Sequence, residues 1–310
     1  SLCMISSYND MASSRVLPGI SCDQMATFVS MTRLELVTFS TPKSSCTLNE
    51  LLALFPSSLY SLELVIRYPT GSQRANFAAF SNLTALHVEN LETPENIDWH
   101  SLEDLTRLEQ LTITSQHLYR GKTILDCVPQ VGPAAPGTLS FDISKLRALD
   151  SLNLAFSTLG PLCRFSIMGN YSALTNLRSA LLSGPTFDDG NAIPPNLCEV
   201  WPALKYFLIQ GKYGPVTVPA SMKGCRSLQT LSLFHVAMAS PSIPEQIFDA
   251  PNLTHLTLGS TNLSGTIPVG LKDTVGLKLV ELMLFENKLT GTLPPKIFDG
   301  LETLDISYNQ

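Results

Sequence analysis

The chain has little charge and no long apolar run, and each shortage removes a class of function. Only 15% of its 310 residues are Asp, Glu, Lys or Arg, and the net charge is −6. A nucleic-acid partner needs a basic stripe to neutralise phosphates, and this balance argues against one. No stretch of about 18 apolar residues occurs, so this segment makes no membrane contact by spanning. G-x-S-x-G, P-loop, G-x-G-x-x-G and C-x-x-C motifs are missing. With them go the usual signatures of hydrolase, nucleotide and dithiol chemistry. Among the five histidines, His235 and His255 fall near adjacent strands, but no carboxylate or thiol joins them at strand positions. A metal needs three or four converging ligands. The expectation is a chain without catalysis, metal or cofactor.

What the chain does have is one apolar phrase, written eleven times. The phrase is L-x-x-L-x-L, cleanest at Leu228-x-x-Leu231-x-Leu233, Leu253-x-x-Leu256-x-Leu258, Leu279-x-x-Leu282-x-Leu284 and Leu301-x-x-Leu304-x-Ile306. Earlier copies start at Met31, Leu59, Leu83, Leu108, Leu149, Leu177 and Leu204. L-x-L has the two-residue period of a strand with one buried face. One short strand cannot bury that face alone. A fixed period near 25 residues therefore predicts stacked units, each packing its leucines on its neighbours'. Eleven parallel strands at about 4.8 Å spacing give an inner sheet roughly 48 Å long. The rest of each unit returns the chain over the other side, because a parallel sheet needs a covered face.

A second landmark keeps step with the first. Ile193-Pro194, Val218-Pro219, Ile243-Pro244, Ile267-Pro268 and Leu293-Pro294 recur at similar offsets. Proline donates no hydrogen bond and suits a turn. The strings Asn262-Leu-Ser-Gly-Thr-Ile-Pro and Asn287-Lys-Leu-Thr-Gly-Thr-Leu-Pro resemble the plant-type leucine-rich repeat, L-x-x-L-x-L-x-x-N-x-L-x-G-x-I-P. The resemblance covers about residues 31–310 and is most specific in the last five units. It implies an α/β-class leucine-rich repeat solenoid: a curved, parallel inner sheet of about eleven strands with a mostly irregular or 3-10 convex side. In that family an asparagine after the strand bonds the backbone of adjacent turns. Here Asn287 and Asn309 fill the position, but Thr261, Val236, Ser157, Gln116, Arg67 and Phe39 stand there in other units. An apolar side chain cannot serve buried backbone groups, so less regular N-terminal turns are expected.

The expected organisation is a capping segment over residues 1–30 and a repeat domain over 31–310, ending inside a repeat. Gly19-Ile20-Ser21-Cys22 is similar to the end of the plant-type N-terminal cap, and that likeness implies a Cys3–Cys22 disulfide. Seven cysteines leave at least one unpaired within the chain. Cys198 and Cys225 sit at interior positions of their own repeats and read as buried free thiols, packing as small hydrophobes. Four sequons, at Asn82, Asn170, Asn252 and Asn262, are glycan acceptors in a secreted protein; Asn-Leu-Thr is also what the repeat pattern writes by itself. Together with the cap these point to an extracellular or cell-surface setting. The unit starting at Leu108 is about 16 residues longer than the others. Its Pro/Gly-rich excess, near 116–136, reads as a loop that either bears contacts or is a plain surface insertion.

The repeat phase also fixes which side chains face inward on the hollow side. The central column runs Glu35, Glu63, His87, Thr112, Asn153, Leu181, Leu208, Ser232, Thr257, Met283, Asp305. Flanking columns contribute Tyr206, His255, Glu281, Phe234 and Phe285. Leu181, Tyr206, Leu208, Phe234, His255, Met283 and Phe285 are the candidate ligand-binding residues. Large apolar groups on an exposed face mark an interaction site, and aromatics and methionine are enriched in interface cores. By resemblance the chain is expected to be a non-catalytic recognition module, the ectodomain of a receptor-like protein binding a protein, peptide or glycan. A secreted inhibitor of the polygalacturonase-inhibitor type, an intracellular scaffold, or a receptor with a kinase domain further along the chain are the alternatives.

Overall fold

The computed structural model describes residues 36–40, 47–65, 74–89, 96–115, 138–156, 164–187, 190–211, 215–268, 278–293 and 299–310. Among them, every L-x-L pair with its neighbours forms a short strand. The strands of the main sheet are β1 (Leu36–Ser40), β2 (Ser61–Val65), β3 (Ala85–Glu89), β4 (Gln110–Ser115), β6 (Ser151–Phe156), β8 (Ser179–Ser183), β10 (Tyr206–Gln210), β11 (Thr230–Phe234), β12 (His255–Gly259), β14 (Glu281–Met283) and β16 (Thr303–Asp305). These eleven lie side by side in chain order and pair in parallel. Register follows repeat phase: Leu231 stands opposite Phe207 on one side and Leu256 on the other, and Leu256 opposite Leu282.

The leucine positions carry the core. Leu228, Leu231 and Leu233 are at most 1% exposed, as are Leu253, Leu256 and Leu258, and Leu279, Leu282 and Leu284. Each fully buried leucine contributes about 1.5–3 kcal/mol, summed along the stack rather than around one centre. The return side holds little helix: α1 (Leu48–Leu52), α2 (His100–Glu103), α3 (Leu197–Val200), and 3-10 turns at Tyr171–Ala173 and Glu245–Asp249.

That return side also carries sheets absent from the sequence reading. β5 (Thr138–Asp142), β7 (Arg164–Met168) and β9 (Pro185–Phe187) form a second parallel sheet, and β13 (Ser264–Gly265) pairs with β15 (Lys288–Leu289). The three-stranded sheet seats an aromatic core. Trp99 packs on Phe141, Phe165 and Phe156 with centroids 5.3, 4.5 and 6.0 Å apart. Trp201 packs on Phe187 and Phe207, and its indole N–H donates to the Tyr171 carbonyl at 3.0 Å. The long Pro/Gly-rich excess near 116–136 lies outside the described residues.

Units are joined by main-chain atoms at the leading edge of each strand. The Tyr60 carbonyl accepts N–H bonds from both Thr84 and Ala85, Thr84 from Glu109 and Gln110, and Glu109 from Asp150 and Ser151. The same double bond recurs at Asp150, Arg178, Lys205, Gln229, Thr254 and Val280. On the trailing edge side chains take over. The Asn287 carbonyl oxygen accepts from the Thr261 and Leu263 N–H groups at 3.1 and 3.0 Å, and its amide donates to the Leu258 and Leu284 carbonyls at 2.7 and 3.0 Å. Asn309 repeats this toward Leu289 and Leu284. Where Val236 replaces asparagine, the side chain is simply buried (1% exposed), and backbone bonds such as His235 N–H to the Gly259 carbonyl (3.1 Å) hold the turn.

Two expectations are corrected. The first strand sits three residues later than the Met31 phrase places it. Val37 and Phe39 pair opposite Leu62 and Leu64, and Thr38, not Glu35, stands opposite Glu63. Phe39 is thus a strand residue and not the unit's asparagine position. Leu34-x-x-Val37-x-Phe39 fits the apolar pattern as well as the copy one step earlier, and pairing with β2 decides between them. Cys198 and Cys225 are not free thiols: they form a disulfide, with Cα atoms 4.8 Å apart and a sequence separation of 27. The physical reason is the stacking itself. Residues one period apart become neighbours in adjacent units. Cys3 and Cys22 lie outside the described residues.

Candidate functional site

Every second residue of the main sheet points away from the core, onto its open face. These positions are intermediate to exposed while their neighbours are buried, as in β6, β10 and β11. The register sets the central column as Glu63, His87, Thr112, Asn153, Leu181, Leu208, Ser232, Thr257, Met283 and Asp305. From Glu63 onward this is the column expected from the repeat phase.

The candidate residues fall into two groups. Leu181 stands opposite Leu208, and Tyr206, 44% exposed, lies two residues before Leu208 on the same strand. Further along the array, Phe234 and Phe285 have ring centroids 5.8 Å apart at an interplanar angle of 53°. Between them on the sheet is Gly259, which pairs with Phe234. Its missing side chain lets the Phe285 ring lie across the backbone, so the two rings meet over a unit that has none. Met283 follows Thr257 in the central column, and His255 is exposed beside it. Ser232 and Thr257 separate Leu208 from Met283, a distance of roughly 14 Å at the strand spacing. Leu181, Leu208, Phe234, Met283 and Phe285 are half-buried by one another and by their strands.

The exits of the last six main-sheet strands, from β8 on, share a feature that leucine periodicity does not signal. His235, Ser260, Glu286 and Tyr308 hold positive φ of 54°, 53°, 54° and 54°, with Gly184 and Gly211 at the same place in the two units before His235. A left-handed residue outside glycine is uncommon, and here four occur in register, turning the chain off the sheet. The His235 ring lies 3.9 Å from Phe234 by centroids. The Ser260 hydroxyl donates to the Glu286 carboxylate in the next unit. These groups extend the aromatic pair to the rim.

The electrostatics of the face are one-sided. Glu63, Glu89, Glu281 and Asp305 occupy open-face positions, and His87 Nε2 pairs with Glu89 at 2.9 Å. The Ser307 hydroxyl and N–H, the latter 2.9 Å from Asp305, hold that carboxyl below the usual aspartate range, so it is ionised at neutral pH. In the middle of the array Asn153 Oδ1 is buried without a hydrogen-bond partner among the described residues.

The sequons divide by what their amides do. The Asn82 and Asn252 amides donate to the Ser57 and Arg226 carbonyls of the preceding unit, at 3.3 and 2.7 Å, while Arg107 and Lys278 reach their oxygens. Asn176, outside any sequon, makes the same bond to Arg147, so this asparagine is a rung of the stack. Asn170 and Asn262 are exposed. Asn170 precedes the 3-10 turn and borders a shallow depression lined by Thr106, Ser144, Lys145, Arg147 and Ala173, whose Lys145 is committed to Asp104 at 2.7 Å. No group of three or more His, Cys, Asp or Glu residues gathers to hold a metal among the described residues.

No protein-family model matches the sequence, and no curated protein matches it. Solved structures do match. A TDR receptor superposes with a TM-score of 0.54 at 20% identity, over 94% of this chain and 50% of that one. The ectodomain of the Arabidopsis receptor kinase HAESA, solved with a peptide hormone ligand, gives 0.53 at 19% identity, over 92% and 48%. An internalin of Listeria monocytogenes gives 0.51 at 16% identity, over 92% and 76%. This chain spans half or less of the two receptor chains. Likeness at this identity, from bacterial and plant proteins together, establishes the fold: a leucine-rich repeat solenoid.

Proposed function

We propose that this chain is a recognition module that binds a peptide or protein segment on the open face of its repeat array, without catalysis. The carrying observation is the Phe234–Phe285 pair, two rings in contact over Gly259 on a face that the core does not use. Aromatic and aliphatic side chains gathered on an open face favour a partner that covers them. The HAESA ectodomain of the same fold was solved with a peptide hormone ligand, which supports a peptide occupant here. The Cys198–Cys225 bridge favours an extracellular or cell-surface, receptor-like setting over an intracellular scaffold, because such bonds persist in oxidising compartments.

The test is a selection of random linear peptides on the immobilised chain. Peptides recovered on the unmodified protein lose binding to Phe285→Asp, while far-ultraviolet circular dichroism of that variant is unchanged. Recovered peptides that bind the variant equally well remove this face from consideration.

A further inference from the structure

The open face has a charge pattern that narrows its partner. In the main-sheet strands from β2 to β16 the outward positions include Glu63, Glu89, Glu281 and Asp305, and none of these outward positions is lysine or arginine. Cations of the described residues that border these strands in sequence stay off the columns. Arg178 and Lys205 precede β8 and β10 at the leading edge, Arg178 paired with Asp150 at 2.6 Å, and Lys288 lies past the exit edge in β15. Among the described residues, a carboxylate, sulfate or phosphate arriving on these columns meets no ammonium or guanidinium at an outward strand position.

The apolar and acidic features coincide at one end. Met283 lies between Glu281 on its own strand and Asp305 on the next, with the Phe234–Phe285 pair one column over and Glu286 at the rim. A guanidinium is attracted to an aromatic face and to a carboxylate at once. We infer that the occupant of this face is a basic, aromatic- or aliphatic-bearing peptide segment, seated with arginine or lysine against Phe285, Glu281 and Asp305. From Leu181 on β8 to Asp305 on β16 is about 24 Å at the strand spacing, the reach of roughly seven extended residues. This inference rests on the recognition reading above and specifies its partner.

The experiment uses two fluorescein-labelled peptides of equal length and equal phenylalanine and leucine content, one rich in arginine, the other with glutamate in its place. Fluorescence polarisation is read against the unmodified chain, Phe285→Asp, Glu281→Gln with Asp305→Asn, and Glu199→Gln, an exposed carboxylate of α3 on the return side. The arginine peptide is expected to bind, and the glutamate peptide not. The double variant weakens binding about fivefold or more, and Glu199→Gln leaves it unchanged. Equal weakening by Glu199→Gln reports general charge attraction and overturns the inference. Binding of the glutamate peptide that depends on Phe285 also overturns it, yet leaves the recognition reading standing. Arginine-peptide binding indifferent to both Phe285→Asp and the double variant overturns both, as does binding of neither peptide alongside a peptide selection that yields nothing.

Discussion

Phe285 lies across Gly259: a β-carbon at 259 would stand 2.5 Å from Cζ of the ring. The glycine needs no unusual backbone angle, so alanine is compatible with the strand and the strain falls on the ring. Gly259→Ala is expected to push Phe285 off Phe234 and cost about 1 kcal/mol, a Tm change of about 1.5 °C. Peptide binding falls far more than stability does. Equal loss of both, by thermal melt and polarisation, would show that the pair serves packing only.

Asn287 joins two units, reaching Leu258 and Thr261 in the one before it and Leu284 within its own. Asn287→Ala strips partners from the buried Thr261 and Leu263 N–H groups. Each orphaned buried group costs about 1–3 kcal/mol, so a loss of about 3 kcal/mol or more is expected. Amide exchange at Thr261 and Leu263 should accelerate first, while amides of β2 to β4 keep their protection. Val236→Asn, at the equivalent buried position, tests whether the rung can be restored one unit earlier.

The Cys198–Cys225 bridge closes a loop 27 residues long. On the chain-entropy account its removal costs about 3.5 kcal/mol. Cys198→Ser with Cys225→Ser should therefore lower the urea midpoint under non-reducing conditions and bring the protein to the behaviour of the reduced wild type. Peptide mapping that finds both thiols alkylated without prior reduction would contradict the pairing.

Acid should loosen the return side through Asp142. The Ser144 hydroxyl and N–H hold its carboxyl below the usual aspartate range, the N–H lying 2.9 Å from Oδ1. A depressed carboxyl stabilises the fold above its unfolded value and loses that contribution as pH falls through the folded one. Stability of the wild type should thus decline below about pH 4, and Asp142→Asn should flatten that decline. Urea midpoints measured from neutral pH downward decide it; parallel curves for the two proteins would remove Asp142 as a source.

Much of this architecture is legible in the leucines. The strand positions, the parallel order and the open-face column from Glu63 to Asp305 follow from one phrase, because an inward-pointing apolar residue at a fixed period admits one stacking register. The phrase fails where both strand faces are apolar. Around β1 two overlapping copies fit, and only the partner strand separates them. It is also silent on β5, β7 and β9, whose buried pairs, such as Phe165 and Ile167, are too short to show a period. The disulfide was legible in principle: 27 residues is one repeat, and one repeat is one strand spacing. Gly259 carried no sequence signal at all, since a glycine matters there only because Phe285, one unit on, needs the room.

The doubled carbonyl bonds from Tyr60 to Val280 are made by main-chain N–H groups, with a threonine hydroxyl added only at Tyr60 and Gln229. Each joint is therefore the same chemical coupling whichever residues flank it. A unit is in this sense a removable link: one can be excised, duplicated or rewritten on its outward positions without inventing a new fastening. Variation in the visitor's docking surface is thereby released from the demands of keeping the chain folded.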